Sequence, residues 1–382
     1  MFNIFEYDHN KNMKKNKIFT IFFFLIPMFT LLSMSLILMY HAKYITNIYA
    51  NHFLKQSLWI AIGLAIIIAS RFFNMQNLFK YARPLYYLSI ISLILVLLVG
   101  ENINGAKAWI NCKWFLFQPS ELMKLTYSLY LSSLISTKRF YNPKQAFMFL
   151  LHILILFLIP AILVFLEPDT GAIIFYFLIT ITALYSSNLQ KRWIIGILII
   201  GILLIGFILY TYFFQRDILI SVLGTTIFYR MERLLSLGEG MQINHALIAL
   251  GSAPLMKWNL TKTGIYIPES PTDFIFSLSS NVFGLLGNMF ILLSYFLLDI
   301  YFLSYLKKQN KKDKKIFTST FLSLFIPSQI INIGMNLGLL PIIGIPLPFL
   351  SYGGSSTIIL FLYLAIIFSV KEKEISVETL II

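Results

Sequence analysis

Charge is what this sequence has least of. Asp, Glu, Lys and Arg make up only 12% of its 382 residues, against 58% apolar residues, and mean hydropathy is +0.79. Soluble globular domains carry about 25% charged residues, so that class is excluded. Acids are scarcer than bases, 16 against 30, which leaves a net charge of +14. Cysteine is nearly absent: Cys112 stands alone, which excludes an intrachain disulfide and gives redox chemistry no support. There is no Walker A sequence to hydrolyse ATP through a P-loop, and no Gly-x-Ser-x-Gly to suggest a serine hydrolase. His and Cys do not cluster at metal-site spacings. The few ionisable residues inside apolar runs argue against an ion-coupled transporter.

What the sequence does have is long apolar runs. Crossing about 30 Å of hydrocarbon takes about 20 apolar residues in a helix. Ten runs qualify, approximately 18–40, 54–70, 84–100, 119–136, 146–166, 170–187, 193–214, 273–305, 316–341 and 352–370. Barrel strands would alternate apolar and polar residues instead, so the sequence predicts an all-α polytopic membrane protein, one domain over 1–382. With the N-terminus provisionally inside, twenty of the 30 Lys and Arg residues fall on the inner side and nine on the outer, with Lys124 inside a run. That bias predicts two cytoplasmic termini. The positive charge then reflects topology and anionic lipid headgroups, not nucleic acid, for which no basic, aromatic-interleaved surface is legible. No small-residue processing site follows the first run, which reads as a helix that stays.

Most connections are short. The exception is an extracytoplasmic loop of about 215–272 between the seventh and eighth runs, where polar function on the outer face belongs. Within it Ile227–Leu237 and Ile243–Leu250 read as short helices lying against the bundle. A second outer segment, Glu101–Phe117, carries Lys107, Trp109, Lys113 and Trp114 and fits an interfacial belt. In a third, Gly338–Ser356, Pro and Gly are too dense for a helix, which predicts irregular backbone close to the membrane.

Asp273 heads the list of candidate residues because it places a carboxylate at the mouth of the eighth run, just after the polar loop. Two readings fit it. Ser270, Pro271 and Asp273 match Ncap, N1 and N3 of a capping box. The same helix dipole would also hold the carboxylate ionised and ready to accept a proton. Glu121 and Lys124, three apart on one helix face, read either as a neutralising pair or as a cation for an anionic headgroup positioned by its acid. Glu167 and Asp169, bracketing Pro168, read as acid caps of the sixth run. Asp299 reads as a paired or snorkelling structural acid. Gly353-Gly354-Ser355-Ser356 reads either as an anion-binding nest or as close packing through small residues.

Four ordered segments carry a resemblance. They are Gly105-Ala106-Lys107-Ala108-Trp109-Ile110 with Gln118-Pro119-Ser120-Glu121-Leu122-Met123-Lys124-Leu125, then Glu167-Pro168-Asp169-Thr170-Gly171, then Pro268-Glu269 with Thr272-Asp273-Phe274-Ile275-Phe276, and finally Gly344-Ile345-Pro346-Leu347-Pro348-Phe349 to Ser356. Together, over essentially the whole chain, they resemble the SEDS family of bacterial cell-wall proteins, which includes RodA, FtsW and SpoVE. The Gly-Ile-Pro-Leu-Pro form and Asn332-Ile333-Gly334-Met335 look more like RodA.

The resemblance implies a peptidoglycan glycosyltransferase in the bacterial cytoplasmic membrane that polymerises lipid II during elongation and shape maintenance. It implies inverting transfer, with Asp273 deprotonating the acceptor hydroxyl. Lys124, Glu121, Lys107 and Glu269 are the implied binders of substrate and pyrophosphate. A divalent cation, Mg or Mn, is allowed as an aid to the leaving group, with no ligand set readable. Implied partners are undecaprenyl-pyrophosphate-linked glycan, a class B penicillin-binding protein and other elongation proteins. A lipid II flippase, a non-catalytic scaffold and a division role are the alternatives. Three departures from the family pattern stand out: Asn281 and Val282 replace two glutamates, Pro271 replaces a histidine, and Ser252-Ala253-Pro254 replaces a glycine-rich stretch.

Overall fold

The computed structural model describes residues 18–73, 75–103, 106–113, 115–140, 142–224, 228, 240–258 and 265–369. Apart from Phe228, the expected helix over Ile227–Leu237 lies outside the described residues, as do the basic residues near both termini. Helices occupy every one of the ten apolar runs. They are α1 (Ile26–Ala42), α2 (His52–Ala69), α3 (Ala82–Val99), α4 (Pro119–Ser136), α5 (Pro143–Leu166), α6 (Thr170–Tyr185), α7 (Lys191–Phe214), α10 (Ile275–Lys307), α11 (Lys312–Asn336) and α12 (Gly354–Phe368), while the long loop contributes α8 (Arg216–Leu223) and α9 (Met241–Gly251). Among the described residues six helical segments are long and apolar enough to cross a membrane: Ile18–Ala42, Asn47–Ala69, Ala82–Val99, Pro143–Leu166, Ile275–Lys307 and Lys312–Asn336. The chain is a mostly helical, multi-pass membrane protein.

Helix α4 is the hub. It packs against α3, α6, α11 and α12. Its polar side chains, which make it a weak span by composition, point at these neighbours: Ser120, Thr126, Ser128 and Ser132 are all buried. Their hydroxyls find partners across the helices, Ser128 with the Tyr363 hydroxyl at 2.9 Å and Thr126 with Ser89 at 2.8 Å, while the neighbouring Tyr127 hydroxyl meets Thr180 at 2.7 Å. Away from water such bonds hold helices together and specify their rotation. Both α4 and α5 open on proline, which costs no hydrogen bond at a first helical position, and Asn142 caps α5 through Gln145 N–H at 2.9 Å.

Two elements depart from the expected pattern. The outer segment expected as an aromatic belt forms a three-stranded antiparallel meander, β1 (Glu101–Ile103), β2 (Ala106–Asn111) and β3 (Leu116–Phe117), which corrects the all-α expectation. Ser355 fastens it to α12 by donating to the Leu116 carbonyl at 3.0 Å and accepting Gln118 N–H at 3.1 Å.

The second departure is α10, which is two helices joined at Gly284, whose φ of 73° is left-handed. Asn288 hydrogen-bonds the hydroxyls of both Ser279 and Ser280. In a straight helix residues eight or nine apart stand about 12 Å or more apart, so the two halves fold sharply against each other. Backbone groups freed by the break are taken up by the loop after α9. Leu285 N–H bonds Pro254 O at 3.0 Å, Leu286 N–H bonds Leu255 O at 2.9 Å, and Lys257 N–H bonds Phe283 O at 3.2 Å. A Cβ on Gly284 would stand 2.5 Å from Pro254 O, so both the conformation and the contact require glycine.

Candidate active site

Asp273 lies two residues before α10, in a turn organised by Glu269. With φ at 54°, Glu269 turns its carbonyl inward to accept N–H of Thr272, Asp273 and Phe274 at 3.3, 3.0 and 3.2 Å. These are the groups a capping box would have served. The cap expectation is therefore corrected: the N-cap of α10 is Phe274 with no side-chain bond, and Ser270 Oγ is buried without a partner among the described residues. Nor does the helix hold the carboxylate ionised. Burial, reinforced by the nearby Glu269 carboxylate, pushes the Asp273 carboxyl up to about 7.

Four long-range hydrogen bonds to its carbonyls fix this turn. Asn332 and Asn336, one turn apart on α11, both donate to the Asp273 carbonyl, at 2.9 and 3.0 Å. Asn332 also donates to Ile345 O at 2.8 Å, and Asn336 Oδ1 accepts both N–H and hydroxyl of Ser277 at 3.0 and 2.7 Å. Ser351 Oγ donates to Thr272 O at 2.6 Å, and Tyr352 N–H donates to Pro271 O at 2.8 Å. The turn and the 344–352 loop thus form one stitched unit. Gly344 faces the carboxylate, with Asp273 Oδ2 3.7 Å from the place a Cβ would occupy. No hydrogen bond to the Asp273 carboxylate is found among the described residues.

Behind the same loop is a cavity of about 50 Å³, lined by Lys124, Glu121, Phe175, Ile345, Ser351 and Tyr363 among others. Lys124 Nζ is 2.6 Å from Glu121 Oε1 and 4.8 Å from the centre of the Phe175 ring. Both side chains of the pair are 11% exposed. The 344–352 loop therefore meets both groups, Glu121 and Lys124 in the cavity and Asp273 at Gly344.

Lys107 is placed elsewhere. Its ammonium donates to the carbonyls of Leu97 and Leu98 at 2.7 and 3.2 Å, closing the C-terminal end of α3.

The two acids around Pro168 separate. Asp169 caps α6 through Ala172 N–H at 3.3 Å and accepts Gln118 and Ser120 at 3.0 and 2.9 Å. Glu167 caps nothing. It is fully buried, neither carboxylate oxygen has a partner among the described residues, and burial followed by the neighbouring Asp169 pushes it up to about 8. Asp299 is held by Gln329 at 3.0 Å, as its structural reading expected. Gly354 sits under Trp59, whose ring would be 2.9 Å from an added Cβ, which is the packing reading of that small-residue stretch.

Asn281, at one of the departures, donates to Ile265 O at 2.9 Å, and Val282 is fully buried. With Pro254 they lie around the Gly284 break, so two of the three departures from the family pattern meet at one place. No group of three His, Cys, Asp or Glu side chains converges among the described residues, so these residues do not form a cage for a divalent ion.

Residues 16–375 match the family model of the FtsW, RodA and SpoVE cell cycle proteins. The chain belongs to this family. Among its relatives, proteins named probable peptidoglycan glycosyltransferase FtsW are 32% identical in Buchnera aphidicola subsp. Baizongia pistaciae over 326 residues, 78% of each chain, and 34% identical in Riesia pediculicola over 306 residues, 75% of this chain and 76% of that one. In fold the chain is similar to a subunit of a peptidoglycan synthase complex that coordinates polymerization and crosslinking, with a TM-score of 0.70, 23% identity and 89% of this chain and 96% of that one covered. It is likewise similar to the rod shape determining protein RodA of Thermus thermophilus, with a TM-score of 0.62, 23% identity and coverage of 89% and 94%. Both names occur among the family's members, so membership does not separate an elongation role from a division role.

Proposed function

We propose that this chain is a peptidoglycan glycosyltransferase of the cytoplasmic membrane, crossing it ten times and polymerising lipid II on the outer face with Asp273 as general base. The observation that carries the reading is the Asp273 carboxyl itself: raised to about 7, in a turn held by four bonds to its backbone carbonyls, with no hydrogen-bond partner among the described residues and Gly344 beside it. A base of that pKa is half ionised near neutrality, where proton transfer is efficient. Asp273 takes the proton of the acceptor sugar's 4-hydroxyl. The oxygen then attacks the anomeric carbon of the growing strand, and the bond from that carbon to undecaprenyl pyrophosphate breaks with inversion. Lys124 stabilises the departing pyrophosphate once it exchanges the Glu121 carboxylate for phosphate oxygens. Glu269 shapes the turn and keeps the base basic.

The cavity beside Lys124, at about 50 Å³, is far smaller than a disaccharide, so the reading requires the 344–352 loop or its neighbours to move when substrate enters. A class B penicillin-binding protein is the proposed partner, supported by the likeness to a synthase complex subunit. For the cellular role, the Gly-Ile-Pro-Leu-Pro form supports elongation, whereas relatives named FtsW support division.

The test is polymerisation of lipid II by the purified protein with its cognate partner, wild type against Asp273→Asn at matched complex yield. Polymer from the wild type alone supports the proposal. Polymer from both would remove Asp273 as the base. Polymer from neither, with the complex intact, would hand the chain to the scaffold or flippase reading.

A further inference from the structure

The loop that mends the break in α10 presents an apolar tip that the fold leaves uncovered. Leu255, Met256 and Trp258 are 64%, 76% and 66% exposed, while the backbone between them is committed to Phe283, Leu285 and Leu286. Three large apolar side chains exposed within four residues, with only Lys257 between them, mark an interaction site. The occupant is identified by what adjoins it. Residues 275–284 of α10 are all buried in protein, and exposure to lipid starts at the break, with Leu285 at 39%, Met289 at 59% and Phe290 at 57%. The loop tip is therefore continuous with the lipid-facing side of α10. Depth agrees. From the basic cytoplasmic end at Lys307 to Leu285 the second half of α10 has 23 residues, about 34 Å of helix. That places the break just past the roughly 30 Å of hydrocarbon, at the outer headgroup boundary, the level that tryptophan favours.

We infer that residues 254–258 dip into the outer leaflet, with Leu255, Met256 and Trp258 seated at the boundary between headgroups and acyl chains. The backbone bonds to α10 make this affordable in physical terms, because irregular backbone at that depth is tolerated only where its N–H and C=O groups are engaged. Trp258 is braced from behind by Phe283, with ring centroids 5.6 Å apart. The loop thereby anchors the joint of α10, ten residues along the chain from the Asp273 turn, to the lipid in which the substrate arrives.

The test uses tryptophan fluorescence of the full-length protein in vesicles containing phosphatidylcholine brominated at shallow or deep chain positions. Subtracting a Trp258→Phe variant isolates one of the five tryptophans. The expected result is loss of most of the Trp258 signal, greater with shallow than with deep bromine, and little quenching by aqueous iodide. Quenching by iodide with none by brominated lipid would overturn the inference. So would Trp258 becoming shielded only when the partner protein is added, which would make the tip a protein docking site instead. Trp258→Phe keeps the contact with Phe283, so a folded control is available.

Discussion

Asp273 and Glu167 show at the scale of single residues how one chemical group is given opposite tasks. Both carboxyls are pushed up by burial, to about 7 and about 8, but only Asp273 has its oxygens beside a loop that can admit substrate. The proposed base must be ionised to act, so polymerase activity should fall as pH drops through about 7, with a one-proton slope measured on a lipid II assay. Stability runs the other way. Because the folded-state pKa lies above the unfolded value near 3.8, the folded protein binds the extra proton, and stability falls as pH rises between those values. Asp273→Asn should abolish activity yet melt no lower than wild type at pH 8, and by the same sign a few degrees higher. Glu167→Gln should likewise be tolerated above pH 8 and keep activity. Asp169→Ala, by contrast, removes a cap and the acceptor of two further hydrogen bonds, from Gln118 and Ser120, and should cost about 1 kcal/mol or more in a melt. Sequence alone read all three acids as potential caps. It could not distinguish them because the decisive partner, the Glu269 carbonyl with its left-handed φ, comes from turn geometry that no capping pattern encodes.

At the scale of elements, the long helices were legible because apolar runs near 20 residues leave a membrane chain little choice. What breaks and ties them was not. The run 273–305 read as a single helix, since an isolated glycine in a helical pattern is ordinarily tolerated, and only the bonds from Pro254 and Leu255 reveal Gly284 as a joint. The meander was more accessible: the sequence carries Asn104-Gly105 between Ile103 and Ala106, a strong two-residue hairpin signal that the aromatic content of the segment obscured. Gly284→Ala should be among the most damaging small substitutions in the molecule. It combines a left-handed φ with a 2.5 Å approach to a carbonyl, a strain of about 1 to 3 kcal/mol, and it should lower the melting temperature in detergent. On α11, Asn332 and Asn336 hold the Asp273 carbonyl from 59 and 63 residues away, a link no local motif announces. Asn336→Leu takes one of two donors from that carbonyl and leaves both Ser277 donors without their acceptor, and should cost about 1 to 3 kcal/mol while lowering the rate of transfer more than the affinity for lipid II.

For the whole molecule the question is how an outer-face reaction is coupled to a substrate that stays in the bilayer. The candidate base lies at the head of one half of a bent helix, the Lys124–Glu121 ion pair lines the cavity at the 344–352 loop, and the other half of that helix carries the exposed apolar residues. Moving the loop therefore alters both ends of the reaction together, because Thr272 and Pro271 are bonded to Ser351 and Tyr352. A flippase would need the path and not the base; a scaffold would need neither. Separating these at the level of the cell requires a variant that leaves the fold intact, and Lys124→Met is suited to it. It removes the cation from a site where packing by Phe175 and Tyr363 persists, while Glu121 is left near the cavity to take up a proton or water. Loss of a charge that stabilises a leaving group costs about 100- to 1,000-fold in rate. Cells depending on Lys124→Met should then show the defect of the wild-type role in full: filaments without septa if the chain serves division, or rounded cells if it serves elongation. Time-lapse microscopy after depletion of the wild-type copy reads this out directly. Normal growth on Lys124→Met would refute the catalytic assignment of the pair, whichever role the chain performs.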